Sequence, residues 1–199
     1  APSEVQLKKL QEFYRKYVAQ MHIAWLVNEN ADVGKNVYGY IIKSRIGRGA
    51  FGNVYEAYDK DEKKYALKIL LPEVKDKVQY LSCFRRGIRS MNILKNNNVK
   101  GMVKIHSSYE VPACIVMDFV EGITLRKAIE DNCLKTIHKK LEVIIQIATI
   151  INQAHNLEEC IFHRDLKPEN IMLQNFYYET TEEPIQVVIL DFDLSWHKG

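Results

Sequence analysis

The stretch HRDLKPEN at 163–170 places an acid, a cation and an amide at short fixed offsets in one polar segment. Asp165 can accept a proton from a hydroxyl group, and Lys167 can neutralise a phosphate. Asn170 offers the kind of oxygen that magnesium prefers, as does Asp191 in the later stretch LDFDLSW. Phosphoryl transfer needs these parts together, because its catalysis consists mostly of positioning and electrostatic stabilisation. The pattern therefore indicates a phosphoryl-transfer centre.

A G-x-G-x-x-G motif is formed by Gly47, Gly49 and Gly52. A dinucleotide fingerprint leads from a strand into a helix, whereas this motif lies between two segments that are predicted to form a hairpin. Absent side chains let backbone N–H groups approach phosphates closely, so such a hairpin can fold over a nucleotide. On this motif alone, a flexible hairpin that binds no ligand remains the alternative.

The apolar segment YALKIL contains Lys68. An ammonium group in an apolar strand is costly unless an anion pairs with it, and a phosphate would serve as that anion. Without other observations, the favoured interpretation is a lysine whose stem is covered and whose head group reaches solvent.

The elements that must position these residues are predicted from hydrophobic periodicity and residue type. Around the glycine motif, the predicted strands are Tyr40–Ile46, Asn53–Tyr58 and Tyr65–Leu70. Further strands are predicted at Val103–Ile105, Cys114–Phe119, Ile171–Leu173 and Ile185–Leu190. Helices are predicted over 74–95 and 141–157. The second helix is apolar around most of its circumference, which is typical of a helix buried on several sides.

Residues 4–27 place apolar side chains at alternating steps of three and four, which predicts an amphipathic helix. Its apolar stripe is expected to pack on the body of the same protein, with a partner helix as the alternative. The stretch NENADVGKN at 28–36 is predicted to be a linker, because it is rich in Asn, Gly and Asp.

Length and composition restrict the class of protein. The 199 residues are 47% hydrophobic, enough for one domain or two small lobes with a real core. The net charge of +3 comes from 28 basic and 25 acidic side chains spread along the sequence, so no one-sided basic face for nucleic acid is expected. The four cysteines form no C-x-x-C pair, which argues against a zinc site or a disulfide framework. Without a leader or a bilayer-length apolar run, we expect a cytoplasmic protein with no membrane partner.

Between about Tyr40 and Ser195 the chain resembles a eukaryotic-type protein kinase, with the glycine loop, strand lysine, catalytic loop and metal-binding Asp in that family's order. The resemblance implies an α+β, bilobal fold with an antiparallel β-sheet N-lobe and an incomplete, mainly helical C-lobe, preceded by the N-terminal helix. The expected divisions are 1–36 for the N-terminal helix and linker, 37–120 for the N-lobe and hinge, and 121–199 for the partial C-lobe.

By this resemblance, Asp165 is expected to be the catalytic base and Lys167 the phosphate contact. Asn170 and Asp191 would hold magnesium, and Lys68 would contact the α- and β-phosphates of ATP. The remaining expected nucleotide contacts are the loop glycines Gly47, Gly49 and Gly52, the hinge residues Met117, Asp118 and Val120, and the ring-sandwiching residues Val54, Ala66 and Met172. His163 and Arg164 would be structural or regulatory.

Three features depart from the family pattern. Gly87 falls where the family has the helix glutamate that pairs with the strand lysine, and a glycine inside a helix costs about 1 kcal/mol relative to alanine. Asp193 replaces the glycine of the metal-binding motif, although Asp tolerates unusual backbone angles better than most residues. The sequence ends at Gly199, at the start of the activation segment, so an exposed apolar patch on the 141–157 helix is expected.

The resemblance implies a serine/threonine protein kinase that uses ATP and magnesium on a protein substrate, because a lysine follows the catalytic Asp by two places and is followed by Pro-Glu. A kinase for small molecules stays open, as does a pseudokinase that binds nucleotide without catalysis. The absent part of the C-lobe predicts a truncated chain, a half-kinase that another chain completes, or self-association through the apolar face. A third possibility for the function is that this chain has no activity by itself.

Overall fold

The structure is a computed structural model that describes residues 33–49, 52–71, 77–176 and 184–198. The described residues divide into two compact units. The first unit contains the described residues up to Lys77 together with Ser107–Val116, and the second contains Val78–His106 and the described residues from Met117 onward. The predicted helix at 4–27 lies outside the described residues. The predicted divisions at 36 and 120 stay predictions.

A six-stranded sheet has the order β1-β2-β3-β4-β6-β5, and its first four strands pair antiparallel. Its strands are β1 (Asn36–Val37), β2 (Tyr40–Arg48), β3 (Gly52–Tyr58), β4 (Lys64–Leu70), β5 (Ile105–Glu110) and β6 (Ala113–Asp118). The three strands predicted around the glycine motif are confirmed, with ends that differ by two residues at most. Alternating side chains from these strands form the core of the first unit.

The second unit contains a three-stranded sheet in the order β7-β8-β9, and three α-helices within the described residues. These elements are α1 (Val78–Asn96), β7 (Ile123–Thr124), α2 (Leu125–Glu130), α3 (Ile137–His155), a short 3-10 helix (Pro168–Asn170), β8 (Ile171–Gln174) and β9 (Gln186–Ile189). The predicted helix at 74–95 is confirmed from Val78 onward, and residues 72–76 lie outside the description. The helix predicted at 141–157 begins earlier, because the Thr136 hydroxyl accepts a hydrogen bond from the Lys139 N–H.

The strand predicted at Val103–Ile105 is wrong except for its last residue, where β5 begins. Val103 instead donates its N–H to the carbonyl of Ile189, and Ile189 donates to the carbonyl of Gly101. This segment therefore runs beside β9 through an isolated parallel bridge, which is a tertiary pairing that local sequence does not reveal.

The third helix, α3, is less buried than its composition suggests. Its buried residues are Val143, Ile150 and Ala154. Its exposed large apolar residues are Ile137, Leu141, Ile144 and Ile145. The prediction of burial on several sides is therefore wrong for the described chain, and the predicted apolar patch is confirmed. The partner chain or self-association expected to cover this patch stays a prediction.

No helix in the described ranges is long and apolar enough to cross a membrane. The four cysteines are unpaired, in agreement with the absence of a disulfide framework from the sequence pattern. Burial raises the pKa of Cys114 to about 12, so this thiol stays protonated and packs as a small apolar residue. The cytoplasmic location stays a prediction.

The side chain of Gln146 joins α3 to strand β9. Its amide nitrogen donates to the carbonyl of Ile185 at 2.7 Å, and its amide oxygen accepts from the N–H of Val187 at 3.0 Å. One side chain thus satisfies a donor and an acceptor on the strand, as a neighbouring strand would. Strand β9 leads directly to Leu190 and Asp191. This pairing therefore also fixes the backbone that leads to the proposed metal ligand Asp191.

We expect Gln146→Leu to lower the free energy of unfolding by about 1–3 kcal/mol, since it leaves two strand groups without partners. The matched control is Gln153→Leu, at an exposed position on the same helix, which should change stability by less than about 0.5 kcal/mol. Urea denaturation of both variants measures the difference. Equal stability of the two variants would show that the Gln146 bonds are replaced by water.

Candidate active site

Three polar side chains of the 163–170 loop, those of Asp165, Lys167 and Asn170, lie together. One carboxylate oxygen of Asp165 accepts from the Lys167 ammonium at 2.6 Å and from the Asn170 amide nitrogen at 3.0 Å. The same amide nitrogen donates to the Asp165 backbone carbonyl at 2.9 Å. Asn170 is buried, whereas Lys167 is half-exposed. The amide group of the loop is therefore enclosed by protein, and its ammonium group is accessible to solvent.

His163 links this loop to the segment that carries Asp191. Its Nε2 donates to the carbonyl of Leu190 at 2.7 Å, and its Nδ1 accepts from the N–H of Asp165 at 3.3 Å. The N–H of Leu190 donates to the carbonyl of Asn170 at 2.8 Å. The two predicted acidic residues therefore belong to one hydrogen-bonded network within the second unit.

The pKa values of His163 and Lys167 are shifted by burial and by the carboxylates of Asp165 and Asp191. Burial lowers the pKa of His163, and the opposing effects of the Leu190 carbonyl, Asp191 and Asp165 are smaller. The imidazole is thus neutral near pH 7, with one ring nitrogen as donor and the other as acceptor. The hydrogen bond to Asp165 raises the pKa of Lys167, to which Asp191 also contributes, so the ammonium remains charged.

The backbone at the second acidic motif differs from the expectation. Asp191 lies in the left-handed region with a φ of 56°, whereas Asp193, which replaces the family's glycine, does not have a positive φ. Unusual backbone angles are expected at Asp193 from the family pattern, whereas the structure has them at Asp191. Asp is among the residues that tolerate this region, and the N–H of Asp193 donates to the Asp191 carboxylate at 3.2 Å.

Gly87 has a packing role. A Cβ atom at this position would lie 2.9 Å from the carbonyl oxygen of Phe192 and 3.2 Å from its carbonyl carbon. Helix α1 therefore approaches the metal-motif backbone more closely than any side chain permits. The predicted weakening does not interrupt the helix, which runs through this residue.

The short helix α2 was missed by the sequence analysis, and an exposed ion pair joins it to the 163–170 loop. Arg126 donates its Nε to a carboxylate oxygen of Glu169 at 2.8 Å. The hydroxyl of Thr124 accepts from the N–H of Lys127 and begins the helix. A threonine before LRKAIE is an N-cap signal from which this helix could have been predicted.

The glycine motif belongs to the first unit, and its three glycines are not equivalent. A Cβ on Gly52 would lie 2.5 Å from the carbonyl oxygen of Ile69, so the close pairing of β3 with β4 requires glycine here. Gly49 donates its N–H to the Gly52 carbonyl at 2.8 Å, while Gly47 has room for a side chain. Residues 50–51, at the tip of the hairpin, lie outside the described residues.

Lys68 is buried, with 4% of its surface exposed, so the interpretation with a solvent-exposed head group is wrong. Val54 and Lys68 are opposite each other in the register of β3 and β4. Ala66 lies two residues before Lys68 on the same strand. Because side chains alternate between sheet faces, Val54, Ala66 and Lys68 share one face.

The four other expected nucleotide contacts belong to the second unit. The N–H of Asp118 donates to the Lys104 carbonyl at 2.9 Å, so this N–H is already engaged within the protein. Met117 is buried, Val120 is half-buried, and Met172 pairs with Thr124 in the sheet. Their contacts with a nucleotide stay predictions.

The proposed metal ligands fit a magnesium ion in their chemistry. Within the described residues, no group of three or more His, Cys, Asp or Glu side chains could hold a metal ion. A pair formed by one carboxylate and one amide oxygen suits Mg²⁺, which usually keeps several waters and binds through one or two protein ligands together with phosphates. The Asn170 nitrogen faces Asp165, and its side-chain oxygen takes part in none of those bonds.

The family model of the protein kinase domain matches residues 40–198. Among curated proteins, the chain is similar to the probable serine/threonine-protein kinase PknB of Lactococcus lactis, with 31% identity over 68% of this chain and 22% of that protein. It is 32% identical to the serine/threonine-protein kinase PrkC of Bacillus subtilis over 72% of this chain and 22% of that protein.

A mammalian relative shows a similar likeness. The serine/threonine-protein kinase 33 of Mus musculus is 32% identical over 84% of this chain and 34% of that protein. The chain spans about a fifth of the length of the two bacterial relatives and about a third of the mouse protein. The similarity therefore concerns a kinase domain, or part of one, within longer proteins.

We expect Gly87→Ala to destabilise the protein, although alanine is the better helix former. The gain in helix propensity of about 1 kcal/mol is outweighed by an overpacking cost of about 1–3 kcal/mol against the Phe192 carbonyl. Asn92→Ala, at an exposed position of the same helix, is the control and should be neutral or stabilising. A rise in the urea midpoint for Gly87→Ala would mean that the helix moves away at little cost.

The lowered pKa of His163 predicts a pH-dependent contribution to stability. The folded-state pKa lies below the unfolded value of about 6.5, so the contribution is complete above that pH and is lost as the pH falls through the folded-state pKa. The variant His163→Gln can still donate to Leu190 but does not titrate. We expect the stability advantage of the wild type over this variant, about 1–2 kcal/mol at pH 7.5, to shrink towards pH 5.

Urea denaturation at several pH values measures this difference. His197, whose pKa is also lowered, is present in both proteins, and its contribution cancels. A difference that stays constant from pH 7.5 to pH 5 would contradict a neutral, buried His163.

Proposed function

Since the chain belongs to the protein kinase domain family, we propose that it forms part of an ATP- and magnesium-dependent kinase that transfers the γ-phosphate to serine or threonine hydroxyls of a protein. One observation carries this proposal. Lys167 and Asn170 each lie within hydrogen-bond distance of the Asp165 carboxylate, and His163 joins this loop to the segment of Asp191. This is the set of groups that phosphoryl transfer requires in one place.

We propose Asp165 as the residue that receives the proton of the attacking hydroxyl. Asn170 and Lys167 hold one of its carboxylate oxygens, so the orientation of the carboxylate is fixed before a substrate binds. The ammonium group of Lys167 is half-exposed, so rotation of its side chain is proposed to bring it to the transferred phosphoryl group. There it would stabilise the negative charge on the phosphate oxygens.

Asn170 and Asp191 are the residues proposed to hold magnesium. When bound, the ion would neutralise charge on the phosphate oxygens. The network through His163 and the bond from Leu190 to Asn170 hold together the two backbone segments that carry this pair. In the first unit, Lys68 and the glycine motif are proposed to contact phosphates, with Val54 and Ala66 beside the base.

The alternative is a nucleotide-binding module without catalysis, and Gly87 is the observation that favours it. The backbone of Phe192 occupies the space of any side chain at this position, so a glutamate cannot replace the glycine without moving α1. Protein kinases of the usual pattern need the ion pair between this glutamate and the strand lysine for full activity. The alternative therefore predicts nucleotide binding with little or no transfer.

Thermal unfolding with ATP, with and without magnesium, tests the binding part of the proposal. A ligand that binds the folded state at 100 times its Kd stabilises it by about 2.7 kcal/mol, so a magnesium-dependent rise in Tm is expected. Asp191→Asn should remove the magnesium-dependent part, whereas Glu158→Gln, at an exposed position beyond α3, should not. No shift at millimolar ATP would contradict every nucleotide-binding interpretation.

Phosphate transfer by the full-length protein tests the catalytic part. Asp165→Asn should reduce transfer by about 10²–10⁴-fold while ATP binding is retained, because the proton acceptor is lost but its shape is kept. Incorporation of labelled phosphate into a serine- and threonine-containing protein measures the rate. A wild-type protein that binds Mg·ATP and transfers nothing would favour the non-catalytic module.

A further inference from the structure

A buried chain of hydrogen bonds joins α1 to the segment that follows Asp191. The hydroxyl of Ser195 donates to the hydroxyl of Ser90 at 2.9 Å, and Ser90 lies 3.1 Å from Nδ1 of His197. Ser90 and Ser195 are fully buried, and His197 is 8% exposed. Buried hydroxyl groups without partners would each cost about 1–3 kcal/mol, so the three side chains depend on one another.

The protonation state of His197 determines which groups donate and which accept in this series of hydrogen bonds. Burial lowers the pKa of its imidazole, and the cationic side chains of Arg89 and Arg86 lower it further against a smaller opposing effect of Glu159. A neutral imidazole leaves Nδ1 able to accept. Since Ser195 donates to Ser90, the single proton of the Ser90 hydroxyl is available for Nδ1 of His197, and both hydroxyl protons have acceptors.

Gly87 lies one helical turn before Ser90 on the same face of α1. Its missing side chain allows contact with the carbonyl of Phe192, and that carbonyl also accepts the N–H of Ser195 at 3.0 Å. The turn from Phe192 to Ser195 is therefore in contact with α1 at both ends, at Gly87 through the backbone and at Ser90 through a hydroxyl.

The opposite side of the same segment is held by the catalytic loop. Trp196 and Phe162 exchange two backbone hydrogen bonds of 2.8 Å, and Phe162 directly precedes His163. The segment after Asp191 thus lies between α1 and the chain that carries Asp165. With both sides fixed, the left-handed backbone of Asp191 has few alternatives, because any change of its dihedral angles must displace the turn.

We propose that Ser90 and Ser195 are positioning residues that fix the turn after Asp191 on helix α1 and thereby orient the Asp191 carboxylate for magnesium. This inference rests on the proposed function. It assigns to α1 a role that requires no glutamate at position 87: the helix acts on the metal ligand through a glycine contact and a hydroxyl pair.

The test compares Ser90→Ala, Ser195→Ala and the double variant with wild type in two measurements. Calorimetric titration with ATP is done in EDTA and then in magnesium, and urea denaturation gives the free energy of unfolding of each protein. We expect ATP affinity without metal to stay within about twofold, while the gain in affinity on adding magnesium falls about three- to tenfold. Substitution of residues that support a metal ligand directly costs about 10–100-fold, and an effect through the backbone is smaller.

Ser82→Ala, at an exposed position of the same helix, is the matched control and should leave both values unchanged. Where an alanine variant does not fold, Ser195→Cys keeps the shape of the side chain and weakens the hydrogen bond, and the same fall in the magnesium-dependent gain is expected. Electron paramagnetic resonance of Mn²⁺ in place of magnesium gives a second readout, in which the variants should bind the ion more weakly.

Two outcomes overturn the inference, and they can be distinguished. Variants that lose stability but keep the full magnesium-dependent gain in ATP affinity would show that the hydroxyl pair is structural only, and the proposed function would stand. A wild-type protein without any magnesium-dependent gain would overturn the proposed function and this inference together.

Discussion

The site depends on the neutral, buried imidazole of His163. Burial disfavours the charged form and lowers the pKa of the imidazole, so near pH 7 one ring nitrogen donates and the other accepts, and both are engaged by groups from the two acidic segments. A protonated ring could not accept from the N–H of Asp165, and the ring of Phe192, 4.8 Å away between centroids, covers it on one side. The spacing of Asp165 and Asp191 thus follows from the hydrogen-bonding capacity of one side chain.

The close approach of α1 accounts for the most conspicuous departure from the kinase pattern. In sequence, Gly87 stands where the family has a carboxylate, within a helix that a glycine is expected to weaken. In the structure, the same glycine permits contact with the Phe192 carbonyl that a Cβ would prevent. The glycine at position 87 is therefore explained by the packing of α1 against the Phe192 backbone.

Much of the fold and the composition of the site followed from local patterns. Alternating strands around the glycine motif and the spacing of HRDLKPEN identified β2, β3, β4 and the catalytic loop, because period and residue type are local properties. The errors arose where distant pairing decides. Residues 101–103 follow β9 because of Ile189, and the left-handed backbone falls on Asp191 rather than Asp193. Ser90 gave no signal, since its partners are 105 and 107 residues away.

The proposed metal ligands belong to the same compact unit as His163, helix α1 and strand β9. The catalytic loop, the turn after Asp191, helix α1 and strand β9 all fall in the second unit, whereas Lys68 and the glycine motif fall in the first. The hydrogen bonds from Asn170 to the Asp165 carbonyl, from Leu190 to the Asn170 carbonyl and from Asp193 to the Asp191 carboxylate are all made within the second unit. The second unit therefore supplies, from its own loop, turn and helix, hydrogen bonds that orient the residues proposed to hold magnesium.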